Sequence, residues 1–121
     1  DKATDFDKAK FFGASAQRTY LIYATGSKLY AYDYVAEKVQ LLQDFGDQEI
    51  TLLHCDLLVE TGAGDDFFYV GTYDPSLPKE TGGTLTKYRV VNDPNNIIVE
   101  KVPGFSWSGL CKIKSIDFKK N

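Results

Sequence analysis

Hydrophobic residues in this chain fall into short runs separated by turn-forming residues, which is the pattern of β-strands. Residues 18–25 and 28–35 are rich in aromatic and β-branched side chains and are divided by a Gly-Ser pair, so they predict a hairpin. Further strands are predicted over 9–16, 38–44, 66–73, 83–91 and 96–102. The apolar run 49–59 fits a buried strand or a helix, and its flanking strands and turns favour the strand.

Two parts of the chain share one pattern. The segment "YLIYAT" (20–25) aligns with "FFYVGT" (67–72) at an offset of 47 residues, and "KLYAYDYV" (28–35) aligns with "TLTKYRVV" (84–91) at an offset of 56. A further alignment places Phe45 on Phe105. A four-stranded unit that occurs twice is typical of a propeller blade or a related repeated sheet.

The sequence therefore predicts an all-β fold with two four-stranded antiparallel, propeller-blade-like units and one closing strand. The first unit covers about 9–45, the second about 49–102, and the closing strand about 109–118. They form a single β domain over 1–121. The absence of Met indicates either a processed protein or a fragment, and a fragment of a longer chain is the favoured interpretation. Two blades do not close a ring, so the chain is the end of a larger protein, pairs with a second copy, or folds its two sheets together as a sandwich.

Composition narrows the classes of partner. The net charge is −3 over 121 residues, so no basic surplus indicates nucleic acid as a partner. No apolar run is long enough to predict a membrane span. The two cysteines, Cys55 and Cys111, do not indicate a disulfide framework, and both are expected to be buried free thiols.

A family resemblance is carried by the phrases "YLIYATGSKLYAYDY", "DFGDQEITLL" and "FYVGTYD", over about residues 8–118. The chain resembles the C-terminal, propeller-like region of the PKD-like family of lipoproteins from bacteroidete gut bacteria. The resemblance implies a parent protein on the cell envelope or cell surface, anchored by an N-terminal lipid outside this segment. It implies no catalytic residue.

The residues that could support catalysis are few. His54 is the only histidine, and neighbouring residues of a strand point to opposite faces, so His54 and Cys55 are not expected to act as a base and a nucleophile. Carboxylates at Asp65, Asp66 and Asp93 could bind calcium, but these positions are also typical of plain turns. We expect no enzyme activity, no metal and no cofactor.

Exposed aromatic residues are the better candidates for ligand binding. Trp107 is predicted to lie in a linker, where its ring could stack on a sugar or a peptide, although a packing role would also explain it. Tyr73 is a second stacking candidate. Three tyrosines share one face of the strand over 28–35 at a period of two: Tyr30, Tyr32 and Tyr34.

The favoured function is a non-catalytic binding or scaffolding segment of a surface lipoprotein, with a glycan or a protein as its ligand. One alternative is a glycan-binding module that uses these aromatic residues. Another is part of a larger propeller enzyme whose active residues lie outside this segment. A third is a structural segment that associates with itself through unpaired sheet edges.

Overall fold

The residues that the structure describes form eight β-strands in two antiparallel sheets. The structure is a computed structural model that describes residues 11–14, 20–56, 66–92 and 97–114. The first sheet has the order β1 (Phe11–Ala14), β2 (Tyr20–Thr25), β3 (Lys28–Asp33) and β4 (Lys38–Asp44). The second has the order β5 (Glu49–Asp56), β6 (Asp66–Tyr73), β7 (Gly83–Asn92) and β8 (Ile97–Leu110). The all-β class is thereby confirmed.

The strand pattern read from the sequence holds for most elements. The bounds of β4 and β6 agree with the predicted 38–44 and 66–73. The turn at Gly26 and Ser27 joins β2 to β3 as predicted. Residues Glu49–Asp56 are a strand rather than a helix, and they pair with β6 at the edge of the second sheet.

The end of the chain differs from the prediction. A break at Pro103 and a separate closing strand over 109–118 were expected, but β8 runs without interruption to Leu110. Residues 111–114 have no regular structure, and residues 115–118 lie outside the described residues. The predicted closing strand is therefore wrong over 111–114.

A wide bulge explains how β8 passes through Pro103. Tyr88 of β7 pairs with Lys101 and Thr86 pairs with Ser106, so residues 102–105 have no partner in the register. Proline lacks the backbone N–H that a ladder needs, and a bulge is a place where that loss is tolerated. Gly104 has a φ of 82°, a conformation that glycine adopts without strain.

The two sheets enclose one hydrophobic core. The core face of the first sheet consists of Ile22, Ala24, Leu29 and Ala31. The core face of the second sheet consists of Ile50, Leu53, Phe68, Val70, Tyr88 and Val90. Strand β1 lies beside β5, and β4 lies beside β8, so the two sheets stack with their strands in the same order.

The link between the sheets is fixed against the first hairpin. The backbone N–H of Phe45 donates to the carbonyl of Ser27 at 2.8 Å, and that of Ile50 donates to the carbonyl of Gly26 at 2.8 Å. The Phe45 ring packs edge-on against Tyr88, with centroids 6.4 Å apart. Phe45 thus lies in the link, whereas Phe105 lies within β8, so the alignment of these two phenylalanines is wrong.

Each sheet also has an outer face. In the first sheet this face carries Leu21, Tyr23, Tyr30 and Tyr32, because these residues alternate with the core residues. In the second sheet it carries Phe67, Tyr69, Lys87 and Arg89. The first of these faces is tyrosine-rich and the second combines aromatic rings with cations.

Candidate functional site

The outer face of the second sheet carries a cluster of rings around one ammonium group. The Nζ atom of Lys87 lies 4.7 Å from the ring centroid of Phe67, 5.5 Å from that of Tyr69 and 4.9 Å from that of Phe105. Lys87 belongs to β7 and is held between β6 and β8, so the strand register brings these residues together. Such contacts are favourable because the ring face carries partial negative charge.

Trp107 extends this cluster along β8. Its ring lies edge-on to Phe105 with centroids 5.8 Å apart. Trp107 is 43% exposed and Phe105 is 39% exposed, so both rings reach solvent. We call Phe67, Tyr69, Lys87, Phe105 and Trp107 the aromatic surface. Trp107 lies in a strand instead of the predicted linker.

A groove opens beside the aromatic surface where β8 bulges. Its volume is about 560 Å³. The lining residues are Phe67, Arg89, Glu100, Lys101, Val102 and Pro103. We call it the β8 groove. Its lining combines apolar carbon with charge, which is the usual composition of a ligand site.

Two residues that line the β8 groove form an ion pair. The Nη2 atom of Arg89 donates to Oε1 of Glu100 at 2.7 Å, and both side chains are about half exposed. An exposed pair of this kind contributes under about 1 kcal/mol to stability. A ligand carboxylate could therefore replace Glu100 at little cost.

Tyr73 and Tyr30, two of the predicted ligand residues, are buried. The hydroxyl of Tyr73 donates to the carbonyl of Leu77 at 2.6 Å, and Nζ of Lys112 lies 4.9 Å from the centroid of its ring. Tyr30 stacks on Tyr23 with centroids 5.2 Å apart. In their present positions neither residue offers an open ring face.

The other two tyrosines of that set lie elsewhere. Tyr32 is half-buried on the outer face of the first sheet, and Tyr34 is exposed in the turn after β3. Trp107 is on the second sheet, so the structure does not bring Tyr30, Tyr32, Tyr73 and Trp107 into one site. Their roles in ligand binding stay predictions.

The residues considered for catalysis or metal binding lie partly outside the described residues. In the strand register His54 pairs with Tyr69 and Cys55 with Phe68. The side chain of Cys55 lies outside those that the structure describes, so its separation from His54 stays a prediction. Within the described ranges no three His, Cys, Asp or Glu residues form a metal-binding group. The turns that contain Asp65 and Asp93 lie outside those ranges, and the side chain of Asp66 does too.

Cys111 differs from the expectation of a buried thiol. It is a free cysteine and is exposed, because it follows the end of β8 instead of lying in a strand. Its carbonyl oxygen approaches Gly83 at the start of β7.

Two groups have shifted pKa values, and both shifts have structural causes. The hydroxyl and the backbone N–H of Ser76 donate to the Asp74 carboxylate, which lowers the pKa of Asp74. These bonds organise the loop between β6 and β7. Burial in the core raises the pKa of Tyr88 above its ordinary value. Tyr88 faces the core and Asp74 lies in a loop, so neither group lines the β8 groove.

Sequence reasoning missed Phe67, Lys87 and Arg89. The period of two along β6 and β7 places each of them on a face, but only the register shows that they share one face with Phe105 and Trp107. The bulge that opens the groove was interpreted as the end of a strand.

Comparisons with known proteins identify no relative. No family model matches the chain, no curated protein matches it, and no solved structure matches it. Among the described residues there is no helix long and apolar enough to cross a membrane.

Proposed function

We propose that this chain is a non-catalytic binding and scaffolding segment of a bacterial surface lipoprotein. In this proposal two consecutive propeller-blade-like units form the scaffold, and the outer face of the second sheet is the recognition surface. The lipoprotein context rests on the family resemblance alone.

Strand register supports the repeated unit. Ala24 pairs with Leu29 in the first hairpin, and Gly71 pairs with Leu85 in the second. These positions differ by 47 and 56 residues, which are the offsets of the sequence alignment. Residues that align in the sequence therefore also form corresponding cross-strand pairs, as expected for two copies of one unit.

The packing of the two sheets is the observation that carries the proposal. The core residue Ile22 corresponds at the offset of 47 to Tyr69, which lies on the outer face of the second sheet. One face of the first unit thus packs on the opposite face of the second. A symmetric sandwich would bring equivalent faces together, whereas successive blades stack front to back.

Front-to-back stacking covers this face in the first unit and leaves the equivalent face of the second unit open for recognition. The face of the first unit that corresponds to the aromatic surface is covered by the second sheet. In the second unit the equivalent face keeps Phe105 and Trp107 in contact with solvent. Exposed rings beside charged groups are typical of binding surfaces.

A retention experiment tests this function. The chain is incubated with mixed oligosaccharides and peptides, separated by ultrafiltration, and the retained molecules are identified by mass spectrometry. We expect retained ligands with unchanged masses, because a binding segment holds its ligand without changing it chemically. Cleaved or modified products would contradict a non-catalytic role.

A pair of variants ties retention to the surface. Trp107→Ser removes an exposed ring from the aromatic surface, and we expect it to reduce retention. Tyr34→Ser removes an exposed ring from a turn of the first sheet and serves as the matched control. Equal retention by both variants and the parent chain would place recognition elsewhere.

A further inference from the structure

The described side chains around the β8 groove include more cations than anions, whereas the chain as a whole has more anions than cations. The net charge of the chain is −3. Among the side chains that the structure describes beside the β8 groove, the cations are Lys87, Arg89 and Lys101 and the anion is Glu100. We propose that the aromatic surface and the β8 groove together bind an oligosaccharide that bears carboxylate groups. This inference rests on the proposed recognition function and names the class of its ligand.

The rings supply the apolar part of such a site. A pyranose ring has an apolar face of C–H groups and a polar rim, so it packs well on an open aromatic ring that is surrounded by polar groups. Phe105 and Trp107 are held at 5.8 Å in an edge-on arrangement that leaves both rings partly open to solvent. The contact of Lys87 with both Phe67 and Phe105 joins this platform to the groove.

The cations make the site selective for a sugar that bears a carboxylate. Arg89 presents a planar guanidinium group, which binds carboxylates through two parallel hydrogen bonds. Glu100 already occupies Arg89 at 2.7 Å and shows that a carboxylate fits at this place. A carboxylate of the sugar takes the position of Glu100, while Lys101 lies at the groove and adds attraction. Glu100 is therefore a competitor of the ligand.

A peptide that adds a strand to the sheet fits this edge less well. Strand addition needs a continuous row of free backbone donors and acceptors. The bulge at residues 102–105 interrupts the ladder of β8, and Pro103 has no N–H to donate. The irregular edge and the open rings favour a sugar that is recognised through side chains.

Trp107 provides the measurement because it is the only tryptophan in the sequence. The probe is a linear tetrasaccharide of galacturonic acid, and the matched probe is its fully methyl-esterified form, which keeps the rings and loses the charge. We expect the acidic form to change the emission of Trp107 with saturation and the esterified form to bind at least about tenfold more weakly. We also expect the affinity for the acidic form to fall as salt is added.

Three variants separate the site from general charge attraction. Arg89→Gln should weaken binding about tenfold, because the bidentate partner is lost. Glu100→Gln should strengthen binding by up to about fivefold, because an exposed competing ion pair is removed. Lys79→Gln removes the same charge as Arg89→Gln from the exposed loop between β6 and β7 and should leave binding unchanged.

Several results would overturn the inference. It is wrong if the two probes bind equally, if neither changes the emission, or if Arg89→Gln and Lys79→Gln lose the same affinity. A change in Trp107 emission with protein concentration alone would show that another copy of the chain covers the surface. Retention of a different ligand class, with loss of that retention in Trp107→Ser, would overturn the acidic sugar and leave the proposed function standing.

Discussion

Leu29 and Leu41 are leucines on neighbouring strands with opposite environments. Leu29 is fully buried in the core, whereas Leu41 is 49% exposed. We expect Leu29→Ala to reduce the free energy of unfolding by about 2–5 kcal/mol, because it removes apolar contacts and leaves a cavity. Leu41→Ala should cost under about 1 kcal/mol. Urea unfolding followed by far-UV circular dichroism measures both values, and equal costs would contradict the assignment of the core face.

Tyr88 makes stability depend on pH in the alkaline range. Its phenol is buried against Phe68, with ring centroids 5.4 Å apart, and burial raises its pKa. The unfolded chain releases this proton near pH 10, while the folded chain retains it to a higher pH. The stabilising effect is therefore complete below about pH 10 and is lost as the pH rises toward the folded pKa.

The substitution Tyr88→Phe isolates this effect. It keeps the stacked ring and removes the ionising group, so we expect the loss of stability above about pH 10 to become less steep than in the parent chain. Tyr34→Phe, at an exposed position, is the control and should leave the steepness unchanged. Urea unfolding between about pH 8 and 11 gives the comparison. Identical profiles for the parent chain and Tyr88→Phe would contradict a raised pKa for Tyr88.

The start of β7 depends on close approach between two backbones. A Cβ atom added to Gly83 would overlap the carbonyl oxygen of Cys111 and lie 3.0 Å from that of Leu110. We expect Gly83→Ala to destabilise the chain by about 2–3 kcal/mol, because the segment after β8 must move away. A Cβ atom added at Gly109 would meet no other atom, so Gly109→Ala should reduce the free energy of unfolding only through its φ of 70°, by about 1–2 kcal/mol. Thermal unfolding ranks the two variants, and the reverse order would contradict this packing.

Elements were predictable where local patterns determine them. The Gly-Ser turn and the alternating run after it define β2 and β3, and their pairing follows from the two-residue turn. β8 was misjudged because Pro103 and Gly104 signal a break in any local reading. The strand continues because β7 is long enough to pair with residues on both sides of the bulge, which is a property of another element.

The candidate site was less predictable than the strands. Trp107 was identified from its polar surroundings, but Tyr73 and Tyr30 could not be recognised as buried from their alternation alone. Both side chains lie on the faces that point away from the other sheet: the hydroxyl of Tyr73 bonds to the carbonyl of Leu77 in the loop after β6, and Tyr30 stacks on Tyr23. A period of two along a strand shows neither contact. The contacts of Lys87 likewise arise from three strands that are distant in the sequence.

At the scale of the whole molecule, one core joins the two sheets, so we expect them to unfold together. Leu29 belongs to the first sheet and the single tryptophan, Trp107, to the second. Leu29→Ala should therefore move the unfolding midpoint seen by Trp107 fluorescence as far as the midpoint seen by far-UV circular dichroism. The shared core of Ile22, Leu29, Phe68 and Tyr88 is the reason, since neither sheet can keep its core face buried alone.

Leu41→Ala is the control for this test of joint unfolding. Leu41→Ala lies in the same sheet as Leu29 but outside the core, and it should leave both midpoints nearly in place. A Trp107 midpoint that stays fixed while circular dichroism shows an earlier step would mean that the sheets are independent. Two independent sheets would remove the packing on which the front-to-back arrangement depends. A single unfolding midpoint for both probes would therefore show that the two sheets fold as one unit. The aromatic surface depends on this, because the first sheet supports the second sheet from behind.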